Sequence, residues 1–190
     1  MLALFPGSRA GEIGRHLRDF VATADAIVRA RPEVQVVVSA PPSVTIDASV
    51  CAYPVVRDAS HTVFRAATAA MCKSGTTTIE AAVALCPLVV AYRTGAIEFA
   101  IARRIVKIPF IGLVNIVAGR EVAREFVQDA LQPVAVADAL QPLFEATSPQ
   151  RVAMVAELAR VRGMLGEPGA ARRVAAMAVS LASARGVPAA

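Results

Sequence analysis

At 190 residues the chain is long enough to bury a substantial core as one domain. Its 56% apolar content excludes a disordered tail. Lys and Arg number 20 against 15 Asp and Glu, and the formal charge of +5 favours phosphates, nucleic acid or an anionic membrane without choosing among them. Arg far outnumbers Lys, a bias that suits planar phosphate recognition and equally suits a GC-rich genome. The longest apolar run, Ala81 to Tyr92, is broken by Pro87 and falls short of the ~18 residues of a membrane span. No secretory pattern opens the chain, so a cytoplasmic location is expected. Cys51, Cys72 and Cys86 have no ligand spacing and are expected to be reduced and buried.

Leu2 to Phe5 reads as a short buried strand, followed at once by the turn Pro6-Gly7-Ser8-Arg9. Ile13, Leu17, Phe20, Val21, Ala24, Ile27 and Val28 then repeat at helical spacing until Arg31-Pro32, where proline bars continuation. Val34 to Ser39 is a β-branched strand, and a third extended piece lies around Tyr53 to Val56. Asp58 or Ser60 is placed to cap a short helix ending near Ala67. Thr68 to Cys72 is a strand, Thr76 to Leu85 a helix, and Pro87 to Tyr92 a strand again. Ile97, Ala100, Ile101 and Ile105 mark another helix, and Pro109 to Leu113 a short strand before a loop with Gly119. Helices are predicted over Arg120 to Asp129, Pro133 to Glu145, Pro149 to Leu165 and Pro168 to Ala184.

Strand and helix alternate, and the strands are nearly continuous apolar runs. That pattern predicts an α/β fold, a Rossmann-like doubly wound parallel sheet covered on both faces, with a helical tail. Residues 1–146 are read as the sheet domain and 147–190 as the helical extension. Ligands in such sheets sit beyond the carboxyl ends of the strands. The turns to search are therefore Pro6 to Glu12, Lys73 to Thr78, Tyr92 to Ala96 and Val114 to Arg120.

Lys73-Ser74-Gly75-Thr76-Thr77-Thr78 joins a strand to a helix, where unpaired N–H groups, hydroxyls and a glycine suit a phosphate. The plain alternative is helix capping, because Thr77 and Glu80 stand in the capping-box relation. Glu80 is also placed to accept from a ribose hydroxyl. Gly7, Ser8 and Arg9 repeat the arrangement earlier, with a guanidinium fork and Glu12 just inside the next helix. The alternative there is an ordinary turn with a solvated arginine. Asn115, Gly119 and Arg120 punctuate a mostly apolar loop, and Glu121, Glu125 and Gln128 follow it at helical spacing. Tyr92-Arg93 is a further candidate pair. His16 and His61 are isolated, and no Cys/His cluster, Walker A loop or nucleophile elbow occurs.

In order, these turns resemble the second domain of the lipid A disaccharide synthases. Leu4-Phe5-Pro6-Gly7-Ser8-Arg9 with Glu12-Ile13 is similar to that domain's opening. Ser74-Gly75-Thr76 with Glu80 resembles its S-G-T-x-x-x-E turn, and Pro87 to Arg93 the strand that follows. Asn115-Ile116-Val117-Ala118-Gly119-Arg120, running on to Glu125 and Gln128, resembles its N-x-x-A-G-R segment. Val114 stands where the family usually has proline, and Arg124 where proline or lysine is common.

The resemblance implies a GT-B glycosyltransferase whose second domain holds the nucleotide sugar. It implies transfer of 2,3-diacylglucosamine from UDP-2,3-diacylglucosamine to 2,3-diacylglucosamine 1-phosphate, without a metal or cofactor. Arg9 and Asn115 would then stand near the leaving group as the catalytic pair. Ser74, Gly75 and Thr76 would hold the diphosphate, with Gly7, Ser8, Glu12 and Thr77 beside them. Glu80 would meet the ribose, and Tyr92, Gly119, Arg120, Glu125 and Gln128 would complete the donor pocket. An N-terminal acceptor domain would supply the general base and precede Leu2. Peripheral contact with the inner membrane, a homodimer and no nucleic-acid partner are further expectations. Two other readings stay open: the donor domain of a murein-precursor N-acetylglucosaminyltransferase, against which the Asn115 to Gln128 segment argues, and a non-catalytic nucleotide-binding module.

Overall fold

The computed structural model describes residues 1–95, 99, 109–167 and 169–184. Six strands form one parallel sheet: β1 (Leu2–Phe5), β2 (Val36–Ala40), β3 (Val55–Arg57), β4 (Ala69–Lys73), β5 (Leu88–Tyr92) and β6 (Glu125–Val127). Their spatial order is β3-β2-β1-β4-β5-β6. The central strands are apolar but for Ser39 and Lys73 near their carboxyl ends, because both faces are covered.

Among the described residues the α-helices are α1 (Ala10–Ala30), α2 (Ser60–Ala66), α3 (Thr77–Val83), α4 (Leu113–Ala118), α5 (Pro133–Leu140), α6 (Pro149–Met164) and α7 (Ala170–Ala184). Alternation along β1 decides which helix meets which face. Leu2 and Leu4 point to a core closed by Leu17, Phe20 and Ile27 of α1 and by Val136 and Leu140 of α5. Ala3 and Phe5 point the other way, to Phe64 of α2, Ala81 of α3, Val114 of α4, and Leu158 and Val161 of α6. Phe5 and Phe64 stack with ring centroids 4.0 Å apart.

The doubly wound parallel sheet is as the sequence predicts, but three segments are not. Pro109 to Leu113 is not a strand: residues 109–112 are irregular, and the expected loop after them is the helix α4. Nor is Arg120 to Asp129 a helix. Gly119 takes a left-handed conformation (φ 67°) that ends α4, and the chain turns back so that β6 joins the sheet beside β5. A 3-10 turn over Gln128–Ala130 follows. Glu121, Glu125 and Gln128 therefore do not share a helical face. Pro133 to Glu145 divides into α5 and a 3-10 turn over Gln141–Phe144. The helix predicted around Ile97 to Ile105 lies outside the described residues.

Among the described residues no helix is long and apolar enough to cross a membrane. The three cysteines are buried and free, and burial pushes the Cys86 thiol up to about 12.

Candidate functional site

The strand order reverses direction between β1 and β4. In doubly wound sheets that switch point opens a crevice at the carboxyl ends, because the connections on either side leave for opposite faces. Here the β1–α1 turn (Gly7 to Glu12) and the β4–α3 turn (Lys73 to Thr77) face each other across it. A cleft of about 230 Å³ lies beside them, lined by Gly7, Ser8, Thr76, Thr77 and Glu80. The ends of β2 and β3 add Ser39, Pro41, Asp58 and Ser60.

Glu12 organises the first turn. Its carboxylate accepts from the Ser8 N–H at 3.0 Å, the Arg9 guanidinium at 3.4 Å and the Lys73 ammonium at 3.2 Å. Burial alone would raise its pKa. The Ser8 hydrogen bond and the Lys73 and Arg9 charges outweigh that and hold the carboxyl below its ordinary value. Gly7 is required by contact as well as conformation: with φ 139°, a Cβ there would lie 2.7 Å from the Cβ of Glu12.

The capping box that was the plain alternative for Thr77 and Glu80 does not form. Thr76 is the N-cap of α3 and makes no side-chain cap. Glu80 instead accepts from the Ser60 hydroxyl at 2.9 Å, tying the β3–α2 turn to α3 across the cleft. Neither Asp58 nor Ser60 caps α2, whose N-cap is Ala59. Ser74 donates its hydroxyl to the Ile111 carbonyl at 2.7 Å.

Asn115 is fully buried. Its oxygen accepts from the N–H groups of Val122 and Ala123 at 2.7 and 2.9 Å, and its nitrogen donates to the Ala123 carbonyl and to Glu125 at 2.7 and 2.8 Å. Glu125 also accepts from the N–H groups of Ile111 and Gly112, the entry to α4. Arg120 pairs with Glu157 of α6. Gln128 exchanges two hydrogen bonds with the backbone of Thr94, at 3.0 and 3.1 Å. Tyr92 ends β5, with Lys73 Nζ 5.7 Å from its ring centroid.

The predicted residues thus fall into two sets. Gly7, Ser8, Arg9, Glu12, Ser74, Gly75, Thr76, Thr77 and Glu80 gather around the crevice, with Tyr92 at its edge. Asn115, Gly119, Arg120, Glu125 and Gln128 build the neighbouring β5–β6 flank, joined to the crevice through Ser74 and Ile111. Four polar side chains at the site were given no ligand role from the sequence: Lys73, Ser39, Asp58 and Ser60. Lys73 carried the only usable signal, as the cation directly before Ser74 at a strand end.

A family profile, that of lipid-A-disaccharide synthetase, matches residues 1–177. The chain belongs to that family. A lipid-A-disaccharide synthase of Myxococcus xanthus (strain DK1622) is 36% identical over 187 residues, covering 95% of this chain and 49% of the relative. One from Sodalis glossinidius (strain morsitans) is 38% identical over 167 residues, 82% of this chain and 43% of the relative. One from Trichlorobacter lovleyi is 35% identical over 188 residues, 95% of this chain and 49% of the relative. The chain spans about half the length of the curated relatives it matches. As a lipid-A-disaccharide synthetase family member, it carries both turns of the crevice and all six strands within the matched span.

Proposed function

We propose that this chain is the donor-binding part of a lipid A disaccharide synthase, holding UDP-2,3-diacylglucosamine at the β1–β4 crevice. One observation supports it best: at the sheet's switch point two strand-to-helix turns line one cleft with backbone and hydroxyl groups, and two cations, Arg9 and Lys73, stand on those turns beside it. That chemistry fits a nucleoside diphosphate. On this reading the diphosphate lies between Ser8 and Thr76, and Glu80 and Ser60 face the ribose. Transfer to 2,3-diacylglucosamine 1-phosphate releases UDP, and the cations stabilise the charge left on it. The acceptor and the general base are proposed to be held by a further domain, which brings the attacking hydroxyl into line. Peripheral contact with the inner membrane belongs to the same proposal, because both substrates carry acyl chains. Asn115 and Glu125 are proposed to act through the fold of the β5–β6 flank, their polar atoms being engaged there.

Titration calorimetry with UDP on the chain tests the donor site, and a labelled-sugar transfer assay with an acceptor domain supplied tests the activity. The expected result is UDP binding by the chain and transfer only when both parts are present. A folded chain that binds no UDP in either setting overturns the reading. Transfer by the chain alone would show that the base lies within it.

A further inference from the structure

We propose that the Glu12 carboxylate is an internal stand-in for the diphosphate, and that Lys73 is the cation it surrenders when the ligand arrives. The inference rests on the nucleotide reading above and adds a residue and an exchange step to it.

Three donors from two different turns converge on one carboxylate. Oε2 takes the Ser8 N–H, and Oε1 takes both the Lys73 ammonium and the Arg9 guanidinium. A backbone amide, an ammonium and a guanidinium aimed at a pair of oxygens is the set that receives a phosphate. The two cations differ in how they are held. The Arg9 side chain is 83% exposed and hangs at the rim, whereas those of Lys73 and Glu12 are each only 19% exposed. Tyr92 packs against the Lys73 ammonium, and that nitrogen sits 3.9 Å from where a Cβ on Gly75 would stand. Lys73 is therefore held beside the backbone of the β4–α3 turn.

A half-buried lysine next to an arginine is costly unless an anion lies between them. Glu12 supplies that anion from within the chain. The ligand's phosphate then replaces one anion by another with little change in the surroundings. As the diphosphate departs, Glu12 closes on Lys73 again and competes with rebinding. The step is an exchange of ion partners, with no bond made or broken.

This account gives Glu12 the opposite sign from a residue that touches the ligand. Glu12→Gln keeps the shape against Gly7 but frees Lys73. UDP should bind about three- to tenfold more tightly to it than to the unaltered chain, on the scale of a partly exposed ion pair. Lys73→Met should bind UDP roughly tenfold more weakly while binding uridine, which lacks phosphate, equally well. Lys73→Arg should recover most of the loss. Calorimetry with UDP and with uridine, alongside thermal unfolding of each variant, decides it. Weaker UDP binding by a folded Glu12→Gln, or equal loss of UDP and uridine in Lys73→Met, overturns the proposal and leaves the nucleotide site standing. If Glu12→Gln does not fold, the contrast between Lys73→Met and Lys73→Arg decides alone. No UDP binding by the unaltered chain removes the nucleotide reading and this proposal together.

Discussion

Removing the Asn115 amide would strand three backbone groups at once: the N–H groups of Val122 and Ala123 and the carbonyl of Ala123. A buried group left without its partner costs about 1–3 kcal/mol, so Asn115→Ala should destabilise the fold by about 3 kcal/mol or more in urea unfolding. Asn115→Asp should do no better, since it loses the donor and sets a second carboxylate against Glu125. His16 makes a different demand. Its Nδ1–H donates to the Glu12 carbonyl at 2.7 Å and its Nε2 accepts from the Arg93 N–H at 2.9 Å, which requires the neutral ring. Burial lowers its pKa, and the Lys73 charge acts the same way, against the opposing Glu12 carbonyl. Below the 6.5 of a free imidazole the unfolded chain takes up this proton before the folded one does. Stability therefore rises with pH through that window and falls as pH drops below it. Urea midpoints should decline from about pH 7 to about pH 5, and His16→Gln should flatten that part of the profile. At this scale the crevice was legible because its glycines, hydroxyls and Arg9 follow strand ends. The backbone hydrogen bonding of Asn115 was not, since residue type and spacing do not say which groups an amide faces.

Among the elements, α4 and β6 stand or fall with the left-handed residue between them. A Cβ on Gly119 meets no atom within 4 Å, so Gly119→Ala carries only the conformational cost, about 1–2 kcal/mol. Gly119→Asn should lose less. Gly7→Ala is a different case, because its Cβ would strike Glu12. Urea unfolding together with UDP titration separates the two: Gly119→Ala should lower stability and spare UDP affinity, whereas Gly7→Ala should weaken UDP. An equal loss of affinity in both would mean that the β5–β6 flank touches the nucleotide directly. The same elements mark where sequence reading fails. The strands β1 and β5 are unbroken apolar runs, β4 is one up to its terminal Lys73, and α1 repeats its apolar residues over 21 positions, so each carries enough signal to be recognised. The α4 helix has six residues and buries a polar one, and β6 has three. Neither is long enough to display a period. The chance spacing of Glu121, Glu125 and Gln128 supplied a false one, and pairing with β5 overrides it.

Over the whole molecule the two terminal helices differ in kind. The α6 helix is part of the second core through Leu158 and Val161, which are fully or almost fully buried. Its Ser148 cap and the Arg120–Glu157 pair add local ties. The α7 helix has none of this burial: Val174, Met177, Val179 and Leu181 are all exposed, and Val174, Met177 and Leu181 fall on one face. A 15-residue helix is marginal in water without packing, so α7 contributes little to the stability of the sheet. Its apolar face does favour association, and in a purified solution the surface available to cover it is another copy of the chain. Sedimentation should therefore show self-association at about tens of micromolar, where weak contacts are populated. Met177→Glu and Leu181→Glu together should reduce it, because a charge on that face must be desolvated for two copies to meet. Truncation after Glu167 should abolish it while leaving the urea midpoint unchanged. A truncated chain that unfolds earlier would show that α7 packs against the sheet domain in solution. A full-length chain that stays monomeric across this range would show that the exposed face is too small, or too mobile, to hold a second copy.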